Sequence, residues 1–273
     1  MTAACGDRMP LESPDAQADR IAARGKLQPW DVATPTFPLK GYRRAARAGS
    51  GAALRVYIES DGQNFVRGRL SGDPTPALPI SLQLAAADDW AGPVIFLARP
   101  CQYGLRGAPG FPCEPRVWDQ RRYGRDAVAA ANAAVDQAKA WSGAPSVELI
   151  GYSGGGVIAA LVAAGRPDVA RLVTIASPLD STAWTRDTNV DSIDDSINPA
   201  DIAAQLIAVP QAHAHGASDR VVRPTVAASY RNALVRASSD GKGPWTFLLE
   251  PGADHDCCWL ERWPDLRRRL GLK

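Results

Sequence analysis

The segment Val147-Glu-Leu-Ile-Gly-Tyr-Ser-Gly-Gly-Gly-Val-Ile-Ala-Ala-Leu-Val-Ala-Ala164 constrains this chain more than any other. Its first four residues are a β-rich, mostly apolar run, and Val157 to Ala164 is an Ala-rich run of helical character. Only six residues separate the two runs, and four of those are glycines. A chain passes from strand to helix in so short a space only through a tight turn. Gly151 to Gly155 fit G-x-S-x-G, the pattern of a turn that lifts a serine out at its apex. In such a turn Ser153 takes a strained backbone conformation, and the positions two residues to either side must lack bulk. With 24 glycines in 273 residues, the pattern arises by chance too readily to stand alone. The surroundings must carry it.

Those surroundings alternate strands with helices. Strands are expected at Leu54–Glu59, Pro93–Ala98, Val147–Ile150, Val169–Ala176, Leu206–Val209 (with an extension open as far as Ala214) and Trp245–Leu249. Helices are expected at Ile80–Ala87, Arg125–Trp141, Val157–Ala164, Pro224–Ala237 and Trp263–Leu270. A segment around Tyr42 is placed to pair with the Leu54 strand through the turn Gly49-Ser50-Gly51. The alternation implies an α/β architecture, with a mostly parallel central sheet and helices on both faces. Residues 30–273 read as one domain, and residues 1–29, which lack periodicity, read as a tail or linker.

Composition excludes several classes. The chain is 45% hydrophobic and 22% charged, without an apolar run long enough to span a bilayer. A formal charge of +2 and short, scattered arginine clusters give no electrostatic footprint for nucleic acid. Cysteines are more informative. Cys101 and Cys113 share one Pro- and Gly-rich loop, and a bridge between them would close a short ring. A bond between adjacent Cys257 and Cys258 would be strained and is not expected; each is left to pair elsewhere or stay a buried thiol. Cys5 follows Thr2-Ala3-Ala4, like the end of a bacterial lipoprotein signal whose cysteine is lipidated, so membrane anchoring through Cys5 is one expectation. The basic and apolar parts of such a signal are missing, so either the start is trimmed or the likeness is accidental. The other four cysteines suit an oxidising compartment, periplasmic or secreted.

A serine hydroxyl needs a base. Of three histidines, His213 and His215 lie two apart on one face of a strand-like stretch and read as packed core residues. His255, in Pro251-Gly-Ala-Asp-His-Asp256 beyond the last strand, is the candidate base. A carboxylate must orient it. Asp219, in His215-Gly-Ala-Ser-Asp219, is preferred over Asp180, which follows the preceding strand and reads as a helix-capping or surface residue. Asp254 and Asp256 flank His255 and are read as solvated. The helix beginning at the turn aims N–H groups at charge forming on a substrate, with Gly154 as the first oxyanion donor. Neither a phosphate loop nor a metal site fits. Gly154-Gly-Gly-Val157 lacks the following Lys and Ser/Thr, and the acidic stretch Asp187 to Asp201 lacks regular ligand spacing.

The segments "GYSGG", "HGASDRVV" and "GADHDCCW" resemble the three active-site segments of the α/β-hydrolase superfamily, over roughly residues 35–273. "VYIESDG", "ARPCQY" and "VPQAHAHGASD" are similar to a group of bacterial α/β-hydrolases, many of them lipoproteins or secreted proteins. The resemblance implies a serine hydrolase that cleaves an ester, thioester or amide through Ser153, His255 and Asp219. No cofactor is implied, and the substrate is a small-molecule or peptide acyl compound. It also implies a second oxyanion N–H from the loop after the first parallel strand. Here that loop is Glu59-Ser60-Asp61-Gly62, without the usual His-Gly, and Asp61 is the carried-over donor. The loop Pro100-Cys101-Gln102 is the alternative. The stretch Asp187–Asp201, with Trp184 and Ile193, is the counterpart of a short cap. The rival reading is a non-catalytic, envelope-anchored binding protein on the same fold.

Overall fold

The computed structural model describes residues 12–47, 51–105, 110 and 113–272. The strands, in chain order, are β1 (Gln28–Val32), β2 (Leu39–Arg44), β3 (Leu54–Ile58), β4 (Phe65–Val66), β5 (Arg69–Leu70), β6 (Val94–Leu97), β7 (Val147–Tyr152), β8 (Val169–Ile175), β9 (Gln211–Gly216) and β10 (Trp245–Glu250). Strands β4 and β5 form a separate exposed hairpin, and the other eight make one sheet in the order β1-β2-β6-β3-β7-β8-β9-β10. The β1–β2 and β2–β6 pairings are antiparallel, and all pairings from β6 to β10 are parallel. Every residue of β3 and β6 is buried, as continuous apolar strands covered on both faces should be.

The helices are α1 (Pro14–Arg24), α2 (Ile80–Ala86), α3 (Pro115–Trp118), α4 (Arg125–Ser142), α5 (Gly154–Ala164), α6 (Ser181–Thr188), α7 (Pro224–Ala237) and α8 (Trp259–Arg269). One apolar layer joins Ile21 of α1, Leu82 of α2 and Trp259 and Trp263 of α8 to Tyr57 and Ile150 of the sheet. The other joins Ala134 of α4, Ile158 of α5 and Leu234 of α7 to Val56 and Leu149. Alternate residues of one strand thus enter opposite layers, as a pleated strand requires. The chain leaves β3 toward β6 on one side of it, whereas β7 lies on the other. The connections therefore diverge at the C-terminal ends of β3 and β7, where an open parallel sheet forms a crevice.

Several sequence expectations are corrected. The tail assigned to residues 1–29 does not extend through the described part of that range. Pro14–Arg24 is a helix capped by the Ser13 side chain, and Gln28 begins β1. Its apolar stripe is Ala18, Ile21 and Ala22, two of them too small to give a strong periodic signal, yet all are buried. Cys5 lies outside the described residues. The segment around Tyr42 is β2, which pairs with β1 and β6 and not with β3. The strand expected at Leu206–Val209 begins instead at Gln211. Its polar residues hid it, and they are buried because they satisfy one another: Tyr230 donates to Gln211 at 2.9 Å, and His213 lies 2.8 Å from the Thr174 hydroxyl. Cys101 and Cys113 are bonded, with Cα atoms 5.6 Å apart. Cys257 and Cys258 are also bonded to each other, contrary to expectation, across a cis peptide that brings their Cα atoms to 3.2 Å.

Candidate active site

Helix α5 starts at Gly154, three residues before its apolar run, because the turn itself supplies the first helical residues. Ser153 sits just ahead of it with φ 52° and ψ −128°, a conformation in which non-glycine residues are strained. Its N–H donates to Ile175 O of β8 at 2.8 Å, so strand pairing holds the turn in place. A Cβ at Gly151 would strike the backbone of Gly155, and one at Gly155 would strike the carbonyls of Ile58 and Glu59. The glycines permit β7, α5 and the end of β3 to meet.

Loops from the same sheet edge bring up the partners. His255 Nε2 lies 3.1 Å from Ser153 Oγ, and His255 Nδ1 lies 2.9 Å from Asp219 Oδ2. The Asp219 side chain is fully buried, and its other oxygen accepts N–H groups of Val221 and Val222 at 2.8 Å each. Those bonds offset its desolvation and fix its orientation. A neutral imidazole facing this carboxylate carries its proton on Nδ1, leaving the Nε2 lone pair toward Ser153.

The histidine is gripped through its backbone as well. Its carbonyl accepts the indole N–H of Trp259 at 2.7 Å and lies 2.9 Å from the Tyr152 hydroxyl. That hydroxyl is also 3.0 Å from Asp256 Oδ1; Asp256 is exposed, as expected, and this one contact links it to the site. Burial, then the Asp256 charge, pushes the Tyr152 phenol far above its usual range, which keeps it a donor. Sequence reading missed both Tyr152 and Trp259. Both sit inside the quoted motifs, but a contact from a side chain to a distant carbonyl leaves no spacing signal.

The remaining candidates lie elsewhere. Asp180 caps α6, accepting Ala183 N–H at 3.0 Å, and takes the Ser229 hydroxyl. His213 packs against Tyr230 and Phe247 in the core. His215 is buried, with no hydrogen-bond partner on either nitrogen among the described residues, and that burial lowers its pKa to about 4.

Asp61 lies against Gly154, so closely that a Cβ on residue 154 would strike its carboxylate. The Gly154 N–H is the first of α5 and has no acceptor within the helix. The Asp61 N–H makes no hydrogen bond among the described residues. Asp61 also lines both of the cavities that open at Ser153. The Asp61 carboxylate accepts Arg99 at 2.9 Å and the Tyr123 hydroxyl at 2.6 Å, with Arg122 at 3.6 Å. Glu59, two residues earlier, is fully buried, and burial, only partly offset by the backbone N–H groups of Ser60, Ser81 and Leu82, pushes its pKa up to about 7.

Two cavities meet at Ser153 and His255. One of about 290 Å³ is lined by Gly62, Pro76, Leu78 and Tyr152. The other, of about 600 Å³, is lined by Phe65, Arg122, Val221 and the cap residues Trp184 and Val190. Trp184 is pinned by its indole N–H to Val221 O at 2.8 Å, and the Arg122 guanidinium lies 5.7 Å from its ring. Of the stretch expected as a cap, Asn189 to Ser192 line this cavity together with Trp184 of α6, whereas Ile193 is buried in the core.

Comparison with known proteins identifies the architecture. No protein-family model and no curated protein matches the chain. Among solved structures, a puromycin hydrolase superposes with a TM-score of 0.65 at 16% identity, covering 90% of this chain. This chain spans only 39% of that protein's length. An alpha-beta serine hydrolase homologue from Coxiella burnetii gives 0.60 at 18% identity, covering 89% of this chain and 95% of its own. The Pyrococcus furiosus esterase Pf2001 gives 0.62 at 13% identity, covering 92% and 93% respectively. The chain therefore has the α/β-hydrolase fold, and these neighbours are hydrolases.

Proposed function

We propose that this protein is a serine hydrolase that cleaves an acyl substrate through Ser153, His255 and Asp219. The observation that carries the reading is the continuous hydrogen-bonded chain from Ser153 Oγ through His255 to Asp219, starting from a strained serine at a strand–helix turn. Ser153 Oγ attacks the carbonyl carbon while His255 Nε2 takes its proton, and Asp219 stabilises the imidazolium that forms. The carbonyl oxygen becomes an oxyanion held by the N–H groups of Gly154 and Asp61. As the tetrahedral intermediate collapses, His255 returns the proton to the leaving group and an acyl-enzyme remains. Water then repeats the sequence, releasing the acid and restoring Ser153. The two cavities flank Ser153, one suited to the acyl part and the other to the leaving group.

A carboxylic ester is the preferred substrate, supported by the esterase among the structural neighbours; thioester and amide cleavage use the same machinery. The Cys101–Cys113 bond supports an oxidising compartment, periplasmic or secreted. The test is turnover of chromogenic esters of graded acyl length by wild type and Ser153→Ala. Hydrolysis lost in the variant supports the reading. Turnover retained by the variant, or none by folded wild type with any substrate, refutes it and favours a binding protein on this fold.

A further inference from the structure

The peptide unit joining Ser60 to Asp61 carries the second oxyanion donor proposed above, and two buried side chains hold it. Gln102 is 0% exposed; its side-chain N–H donates to Ser60 O at 3.1 Å and lies 3.3 Å from Pro74 O. Its amide oxygen accepts the Arg99 N–H at 3.0 Å, so the amide itself cannot rotate. A peptide bond is planar, with C=O and N–H on opposite sides, so fixing Ser60 O fixes the direction of the Asp61 N–H. On the other side, the Asp61 carboxylate is anchored by Arg99 and Tyr123, with Arg122 beside it. One further contact tightens the loop: Gly62, at a positive φ of 72°, donates its N–H to the Ser60 hydroxyl at 3.2 Å.

The carboxylate raises an electrostatic difficulty. A negative group packed against Gly154 would repel an oxyanion forming there. Two guanidiniums, both more than nine-tenths buried, offset that charge: Arg99 pairs with Asp61, and Arg122 is shared between Asp61 and Asp119, the latter at 3.2 Å. Most of these contacts come from Arg99, Gln102, Arg122 and Tyr123, and the Cys101–Cys113 disulfide lies immediately beside Gln102.

We infer that Gln102 and the Asp61 side chain with its partners Arg99 and Tyr123 are positioning residues, which hold the Asp61 N–H in the oxyanion hole and keep its surroundings electrically neutral. The loop Pro100-Cys101-Gln102 is thus the support of the second donor and not its source: the Gln102 N–H is itself directed at Arg99 O, at 3.3 Å. The inference rests on the serine-hydrolase reading.

The test uses Gln102→Glu, which keeps the acceptor for Arg99 and loses the donor to Ser60, and Tyr123→Phe, which removes one hydrogen bond from Asp61 and leaves the ring in place. In each, kcat should fall about tenfold to a hundredfold with KM nearly unchanged. Affinity for a trifluoromethyl ketone should fall by the same factor. Its carbonyl adds Ser153 Oγ, gives the serine proton to His255 and places an oxyanion in the hole, so with His255 and Asp219 unaltered a change in affinity reports the hole. The acid limb of the pH–rate profile should keep its midpoint, because His255 and Asp219 are untouched. If both variants retain kcat and ketone affinity, or if kcat and KM move together while ketone affinity stays, the inference is wrong. Should Gln102→Glu fail to fold, Tyr123→Phe decides alone. Absence of ester turnover in the wild type would instead refute the reading beneath it.

Discussion

The Tyr152 hydroxyl lies 2.9 Å from the carbonyl oxygen of His255, so the residue preceding the elbow serine grips the residue proposed as its base. The grip shares its acceptor with Trp259, whose indole N–H reaches the same carbonyl from α8. Strand β7 and helix α8 are thereby tied to one loop residue. The tie fixes where the imidazole starts; Asp219 fixes which way it faces.

From this tie we predict that Tyr152→Phe lowers kcat about tenfold while leaving stability within about 1 kcal/mol of wild type. Trp259→Phe should act in the same direction. In the double variant the losses should fall short of additive, since both donors serve one oxygen. Steady-state kinetics with urea unfolding of each variant checks this.

Asp219 and Asp180 separate a residue that orients His255 from one that caps a helix. Asp219→Asn should reduce kcat by about three to four orders of magnitude, because an amide can present its N–H to Nδ1 and favour the wrong tautomer. Asp180→Asn should leave turnover near wild type, since asparagine still caps α6. The reverse ranking would move the acid to the end of β8.

Much of this was legible in the chain. Ser153 and Gly154 stand out because a strand and a helix abut with only glycine-rich turn between them. Asp219 and His255 follow because each lies just beyond a strand in the right order, and the parallel sheet brings those ends to one edge. Less local features stayed hidden. Gln102 acts on Ser60 and Tyr152 acts on His255 across 42 and 103 residues of chain, so no periodicity or spacing marks them. Helix α1 was missed because alanines make a faint apolar stripe. Strand β9 slipped in register because buried His213 and Gln211 look polar until their partners are seen.

Gly154 permits no side chain for a reason distinct from helix geometry. Gly154→Ala should strengthen the helix locally and still lower kcat by about a hundredfold or more, because the added Cβ strikes the Asp61 carboxylate and would displace the two donors proposed for the oxyanion. Retained circular dichroism together with lost turnover is the expected pairing. An alanine variant with full activity would show that Asp61 moves without consequence.

Glu59 predicts a pH-dependent stability. Its folded pKa of about 7 lies above the 4.5 expected when unfolded, so the folded chain binds more protons and stability falls as pH rises from 4.5 through 7. Above pH 7 the buried carboxylate costs on the order of 3 kcal/mol. Glu59→Gln should therefore stabilise the protein at pH 8 and change little at pH 4. His215, with a folded pKa of about 4, has the opposite slope between 4 and 6.5, but it contributes equally to both proteins. Urea unfolding of variant and wild type across this range isolates Glu59 in the difference, and a flat difference would refute the assignment.

The central claim is that Ser153 is an activated nucleophile, and a fluorophosphonate probe tests it most directly. Wild type should be labelled stoichiometrically, with the adduct mapped by mass spectrometry to the peptide containing Ser153. Labelling should vanish in Ser153→Ala and fall sharply in a His255→Ala variant that remains folded. Folded wild type that resists the probe, or an adduct on any other residue, would contradict the account.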